Sequence, residues 1–97
     1  MSQSYDTYGK IADEFIRQVR QRSPAAADCI EQIRIQHGAR PAYLAAFALV
    51  IFGSRLNQRG YATPQEALKS FTFYEEMKDN AEAIQLYEEA GRNLLLG

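Results

Sequence analysis

The sequence has little of what most metal-binding sites require. Its 97 residues include one cysteine, Cys29, one histidine, His37, and no tryptophan. A single cysteine excludes an intrachain disulfide. A structural zinc site needs four His or Cys ligands, and a metal site in a helical bundle pairs a histidine with an acid three residues before it. Position 34 is an arginine, so we expect no metal and no cofactor.

Catalytic sets are also missing. Cys29 and His37 lie two turns apart on one helix face, roughly 12 Å along the axis, which is too far for a proton transfer. The acids Glu75, Asp79 and Glu82 share one helix face, as in an ordinary solvated surface. The six glycines are isolated from one another, so no glycine-rich phosphate loop is present. The chain is therefore not expected to be an enzyme.

The sequence also lacks the segments that direct a chain to or across a membrane. Its first residues have neither the basic nor the apolar region of a signal peptide. The longest apolar run, residues 41–53, is shorter than the roughly 20 residues of a membrane span. Together with the single cysteine, this favours a cytoplasmic protein. The net charge of −1 gives no overall basic field that would attract nucleic acid.

What the sequence does contain is an apolar stretch from Pro41 to Gly53 without a charged side chain. Proline suits the start of a helix, and four alanines favour helix over a buried strand. A helix that is apolar all round is buried all round. One face is bulky and consists of Tyr43, Leu44, Phe47, Val50 and Ile51. The other face is slim and consists of Ala42, Ala46, Leu49 and Gly53.

Helical periodicity and capping residues predict helices on both sides of this stretch. Ser23 before Pro24, Thr63 before Pro64, and Thr72 three residues before Glu75 are predicted N-caps, the last two as capping boxes. Gly38 and Gly60 are predicted C-terminal stops. The predicted helices span residues 7–22, 24 to 36 or 37, 41–58, 64–69 and 73–93, after a frayed start at residues 1–5. We predict one all-α domain, residues 1–97, folded as a small four- to five-helix bundle around the central apolar helix (about residues 41–58).

The central helix suggests that the protein associates with another chain, because only two or three other helices remain to cover its apolar surface. Charge is also uneven, with eight Lys and Arg against five acids in residues 1–60 and three against seven in residues 61–97. We therefore predict a small non-enzymatic protein–protein interaction module, an adaptor, inhibitor or assembly factor of the kind found among bacterial and phage regulators. It would act through a helical face and self-associate as a homodimer or higher oligomer. The candidate interaction residues are Ile35, Arg40, Arg55, Arg59, Tyr61, Leu94 and Leu95.

Two alternatives assign a binding role to the arginines. The first is nucleic-acid binding through the arginines of residues 17–59, and the second is a small anionic ligand held by Arg40, Arg55 and tyrosines. Arginine is suited to both because it binds phosphate and carboxylate through two parallel hydrogen bonds. The ordinary explanation is that the arginines pair with Glu and Asp of the last helix.

Overall fold

The computed structural model describes residues 3–55 and 63–96, apart from the side chains of residues 3–7 and of Arg55. Within these ranges the chain forms six α-helices and no strand. In chain order they are α1 Gln3–Arg22, α2 Pro24–His37, α3 Ala39–Arg55, α4 Pro64–Lys69, α5 Tyr74–Met77 and α6 Ala81–Leu96. The predicted all-α fold is confirmed, with one short helix more than the four to five expected.

The boundary between α1 and α2 and the end of α2 are set by local signals, as predicted. Ser23 caps α2 by accepting a hydrogen bond from the Ala26 N–H at 3.2 Å, and Pro24 is the first helical residue. Gly38 ends α2 with a φ of 101°, a backbone angle that glycine adopts without the steric cost of a Cβ. Its N–H donates to the Arg34 carbonyl at 2.9 Å, which satisfies one of the free carbonyls of the last turn.

Both long helices on either side of α2 begin earlier than predicted. Helix α1 begins at Gln3 rather than at Thr7, so it includes part of the segment 1–5 that was expected to be frayed. Helix α3 begins at Ala39, directly after the glycine that ends α2, and Pro41 is its third residue. Proline is tolerated there because the first N–H groups of a helix have no partner within it. The predicted end of the central helix near residue 58 and the cap at residue 60 lie outside the described residues.

The capping box at α4 is confirmed. The Thr63 hydroxyl accepts from the Glu66 N–H at 3.1 Å, and the Glu66 carboxylate accepts from the Thr63 N–H at 3.2 Å. The second predicted capping box is wrong, because α5 follows Phe73 without any side-chain cap. The single last helix predicted over residues 73–93 is also wrong, because this segment contains two helices, α5 and α6.

An asparagine divides that predicted last helix into α5 and α6. The Asn80 side-chain oxygen accepts from the Ala83 N–H at 3.1 Å, and its carbonyl accepts from the Ile84 N–H at 3.1 Å. Asparagine is a strong N-cap, so a new helix starts there and continues to Leu96. Ala81, the first residue of this new helix, is exposed.

Contacts between helices define their directions. Arg20 pairs with Asp28, and Arg34 with Asp13, so α1 and α2 are antiparallel. Helices α2 and α6 are antiparallel as well, because the start of α2 lies beside the end of α6: the Ser23 hydroxyl donates to the Asn93 carbonyl at 3.0 Å. Helices α1 and α6 therefore run in one direction. Helix α3 runs in the same direction, because Gly53 in its last described turn lies against Arg22 and Leu94, which belong to the last turns of α1 and α6.

Helix α3 is the structural centre, since it packs against α1, α2, α4 and α6. None of residues 42–53 is exposed. The accessible surface of the chain is 5713 Å², close to the roughly 5,600 Å² typical of a folded monomer of this mass. The shortage of covering helices is thus smaller than the sequence suggests, and the surface of α3 has to be considered face by face.

Candidate interaction surface

The two faces of α3 differ in how the rest of the chain covers them. The slim face is completely buried: Ala42, Ala46, Leu49 and Gly53 have almost no accessible surface. Every residue of the bulky face is half-buried, namely Tyr43, Leu44, Phe47, Val50 and Ile51. The prediction that this helix is buried all round is therefore correct for one face and wrong for the other, because small residues draw the neighbouring helices to the slim side.

Five aromatic rings form a continuous surface on the bulky side, and we call it the aromatic face. It consists of Tyr8 and Phe15 from α1, Tyr43 and Phe47 from α3, and Phe71 from the segment between α4 and α5. Centroids of neighbouring rings are 5.7 Å apart for Tyr8 and Tyr43, 5.7 Å for Phe15 and Tyr43, 5.5 Å for Phe15 and Phe47, 6.2 Å for Tyr43 and Phe47, and 5.5 Å for Phe47 and Phe71. All five residues are half-buried, so each ring retains part of its surface in solvent.

The parallel arrangement of α1 and α3 creates this face. Tyr8 lies beside Tyr43 and Phe15 beside Phe47, so residues one or two turns apart on each helix meet their counterparts in order. Phe71 is held by a turn of backbone in which its N–H donates to the Leu68 carbonyl at 3.1 Å. Edge-to-face contacts of Phe47 with both neighbouring phenylalanines fix the centre of the face.

The charge nearest the aromatic face is already neutralised within the chain. Arg40 forms an ion pair with Glu76, and its guanidinium lies 5.7 Å from the centroid of the Tyr8 ring. The hydrogen bond to the Glu76 carboxylate, and then that to Tyr8, raises the pKa of Arg40 above its usual range. No other charged side chain follows on α3 until Arg55. The part of the face that α3 provides therefore has no charged side chain apart from the paired Arg40.

Other arginines of the first two helices also have acidic partners. Arg17 pairs with Glu14, Arg20 with Asp28 and Glu31, and Arg34 with Asp13. These partners lie on α1 and α2, whereas the sequence analysis placed them on the last helix. Their side chains keep much of their exposure, so each pair contributes little to stability, but each reduces the positive charge available to an anion.

The candidate interaction residues do not form one surface. Ile35 is 74% exposed near the end of α2, whereas Leu95 is 46% and Leu96 87% exposed at the opposite end of the bundle. Leu94 is buried and lies against Gly53, so it belongs to the core. Arg59 and Tyr61 lie outside the described residues, as does the side chain of Arg55. Of the predicted residues whose side chains the structure describes, only Arg40 touches the aromatic face.

Cys29 and His37 have separate partners, as their spacing predicted. The Cys29 sulfur lies 3.6 Å from a Glu89 carboxylate oxygen and 3.5 Å from the Asn93 amide nitrogen, while His37 Nδ1 lies 3.1 Å from the Asn80 amide nitrogen. Burial, followed by the charge of Glu89, raises the pKa of the Cys29 thiol. A thiol that resists ionisation is a poor nucleophile. Among the described residues, no three His, Cys, Asp or Glu side chains are grouped as a metal site would require.

A cleft of about 360 Å³ lies beside the aliphatic end of the bulky face. Its apolar walls include Val19, Leu49 and Val50, and its rim includes Arg22 and Ser54. The Arg22 guanidinium occupies the space beside Gly53 where a larger residue would carry its Cβ. The cleft lies near the last turns of α1 and α6, and the partial negative charge of these two helix C-termini opposes an anionic ligand there.

The aromatic face could not be recognised from the sequence, because its members belong to separate segments. Helical spacing places Tyr8 and Phe15 on the apolar stripe of α1 that would face the core, and no pattern singles out Phe71. The signal that was present is the bulky face of the central helix. Nothing in the spacing shows which neighbour would lie beside it.

Within the described part of the chain, no helix is both long enough and apolar enough to cross a membrane. No protein family, characterised protein or solved structure was found to match this chain.

Proposed function

We propose that this chain is a non-enzymatic protein–protein interaction module whose working surface is the aromatic face, with an apolar, uncharged helical surface as its partner. The observation that carries the proposal is the continuity of five half-buried rings beside and along α3, a helix that has no charged side chain between residues 41 and 54. Solvent-facing positions of an ordinary helix are polar. Continuous apolar surface on a small protein marks a place where another molecule binds.

The chemistry of the face favours protein over other partners. Aromatic residues are enriched, and charged residues depleted, at the centres of protein interfaces. Rings fixed by their neighbours lose little conformational freedom on binding, which lowers the entropic cost of association. The half-buried Leu44, Val50 and Ile51 extend the apolar surface beside the rings and supply the aliphatic part of such an interface.

The two arginine-based alternatives lose support. Nucleic acid binds through unpaired Lys and Arg that neutralise phosphates, whereas Arg17, Arg20, Arg34 and Arg40 have carboxylate partners in this chain. A small anion held by Arg40 would have to displace Glu76.

Affinity capture from the native cell tests the proposal when wild-type bait is compared with two variants. Phe47→Gln removes the central ring of the face. Leu96→Gln is the matched control, because it makes the same kind of change at an apolar residue that is exposed elsewhere, at the end of α6. We expect Phe47→Gln to lose proteins that Leu96→Gln still captures, and an untagged copy of this chain counts among the proteins scored.

A second variant guards against unfolding of the first. Val50→Thr keeps the shape of the side chain and adds a hydroxyl to the same face, so it is used if circular dichroism shows that Phe47→Gln is not folded. The proposal fails if folded variants of the face capture the same proteins as the wild type and the control.

A further inference from the structure

We propose that the partner of the aromatic face is a second copy of this chain, with the two α3 helices packed antiparallel about a two-fold axis between Phe47 and Val50. This inference rests on the proposed function, because it names the occupant of the same surface. Three features support it: the absence of charged side chains along the bulky side of α3, the sizes of the side chains along that side, and the accessible surface area of the chain.

The charges on α3 allow two copies to approach each other. A surface that binds its own copy brings every charge near the axis close to an identical charge, and such pairs repel. Between residues 41 and 54 there is no charged side chain, and Arg40 at the edge is already paired with Glu76. Packing of the two α3 helices about this axis therefore brings no unpaired like charges of α3 together.

The side chains along α3 differ in size in a way that suits an antiparallel copy. Tyr43, Phe47, Val50 and Ser54 follow one another at the three- and four-residue spacings that place them on one line along the helix. The line is bulky at its N-terminal end and small at its C-terminal end. An antiparallel copy places Phe47 opposite Val50 of the partner subunit, and Tyr43 opposite Ser54 of the partner subunit, so large side chains meet small ones. A parallel copy would place each bulky ring against its equivalent.

The accessible surface of the chain and the size of the face indicate a weak dimer. The accessible surface of 5713 Å² is that of an ordinary monomer, so the chain does not need a partner to complete its core. The face includes fewer residues than the 20–30 on each side of a standard stable interface. The dimer is therefore expected to be weak and reversible, and to form as concentration rises.

Disulfide trapping distinguishes the two orientations. In a Cys29→Ala background, Val50→Cys lies near the axis, so the two cysteines of a dimer come close together and cross-link. Ser54→Cys does not cross-link to itself in the antiparallel dimer, because the two positions are separated by roughly 16 Å along the helices, beyond the span of about 7 Å that a disulfide bridges. A mixture of Tyr43→Cys and Ser54→Cys proteins does cross-link. In a parallel dimer Ser54→Cys would cross-link to itself as readily as Val50→Cys.

Sedimentation equilibrium supplies the second measurement, from about 10 µM to about 1 mM, a range that brackets a weak dimer. We expect the average mass of the wild type to rise above that of one chain. Phe47→Gln or, if that variant is unfolded, Val50→Thr should weaken association at least tenfold, and Leu96→Gln should leave it unchanged.

The outcomes separate the two proposals. A single 11.0 kDa species at every concentration, together with face-dependent capture of a different protein, overturns the second copy and leaves the interaction module in place. Self-cross-linking of Ser54→Cys overturns the antiparallel arrangement. A monomer whose face variants capture the same proteins as the wild type overturns both.

Discussion

Replacing three glycines by alanine, one in each of three helices, tests how the helices pack. One replacement is expected to stabilise the protein, one to destabilise it and one to leave its stability nearly unchanged. Gly9 lies in α1, Gly53 in α3 and Gly91 in α6. An added Cβ would lie 3.6 Å from the nearest atom at Gly9, an Arg34 nitrogen. At Gly91 it would lie 2.2 and 2.5 Å from two ring carbons of Pro64.

The magnitudes follow from two opposing effects. Alanine stabilises a helix interior by about 1 kcal/mol over glycine, and this gain is the whole effect at Gly9, where the Cβ makes an ordinary contact. Overpacking costs about 1–3 kcal/mol, and it applies at Gly91 because a proline ring at the start of α4 cannot rotate away. We expect Gly9→Ala to stabilise the protein by about 0.5–1 kcal/mol and Gly91→Ala to destabilise it by about 1–2 kcal/mol.

Gly53 is the intermediate case. There the Cβ would lie 2.6 Å from the terminal nitrogen of Arg22, but an arginine end group is flexible and moves at small cost. The helix-propensity gain and the displacement of Arg22 then nearly cancel, so we expect a change within about 0.5 kcal/mol.

Thermal and urea denaturation followed by circular dichroism measure all three variants. In a protein of this size 1 kcal/mol corresponds to about 4–8 °C in melting temperature, so the expected order is resolved easily. The reasoning is refuted if Gly91→Ala melts above the wild type, which would mean that α4 does not lie against α6 at Pro64. It is also refuted if Gly9→Ala melts below Gly91→Ala.

Three further predictions follow from individual contacts. Ser23→Ala should cost about 2 kcal/mol by urea denaturation, because it removes both a helix cap and a buried bond to a carbonyl, whereas Thr63→Ala should cost about 1 kcal/mol. Glu76→Gln should change stability by less than about 1 kcal/mol, since the side chains of Arg40 and Glu76 are 45% and 50% exposed, and a larger loss would contradict an exposed pair. Because burial raises the pKa of the Cys29 thiol in the folded protein, the folded state favours the neutral thiol. Stability should therefore fall as pH rises above the ordinary thiol pKa of about 8.5, and Cys29→Ala should remove that part of the pH dependence.

The parts of the fold that could be predicted from the sequence are those fixed within one turn of helix. Ser23 with Ala26, Gly38 with Arg34 and Thr63 with Glu66 are contacts over three or four residues. Residue types and spacing specify such contacts, because the bonded groups are brought together by the local backbone alone. These caps were predicted at the correct residues.

The errors arose where two local signals competed. Thr72 with Glu75 and Asn80 with Ala83 are both reasonable helix starts, and the sequence analysis chose the first. The structure uses the second. Phe73 is buried in the core beside Phe71, and this tertiary contact outweighs a cap that would contribute about 1 kcal/mol.

The aromatic face could be predicted only in part. Periodicity correctly divided α3 into a bulky and a slim face, but it did not show which one the chain would cover. That outcome depends on α1 lying parallel to α3, with Tyr8 beside Tyr43, and this contact joins residues far apart in sequence. Local patterns carry no information on such pairings.

The strength of association that the face can provide follows from its size. Complete burial of a Leu, Val, Ile or Phe side chain contributes about 1.5–3 kcal/mol. The five rings of the aromatic face and Leu44, Val50 and Ile51 each keep only the minor part of their surface in solvent. Covering that part on both copies of a dimer would therefore contribute about 8 kcal/mol in total. Association costs about 4–15 kcal/mol in lost freedom, which leaves at best about 4 kcal/mol, equivalent to a dissociation constant of about 1 mM. Leu44 and Val50 also pack against the core, so burial within the chain accounts for part of the apolar character of α3, and the proposed association would use only the part of these side chains that remains in solvent.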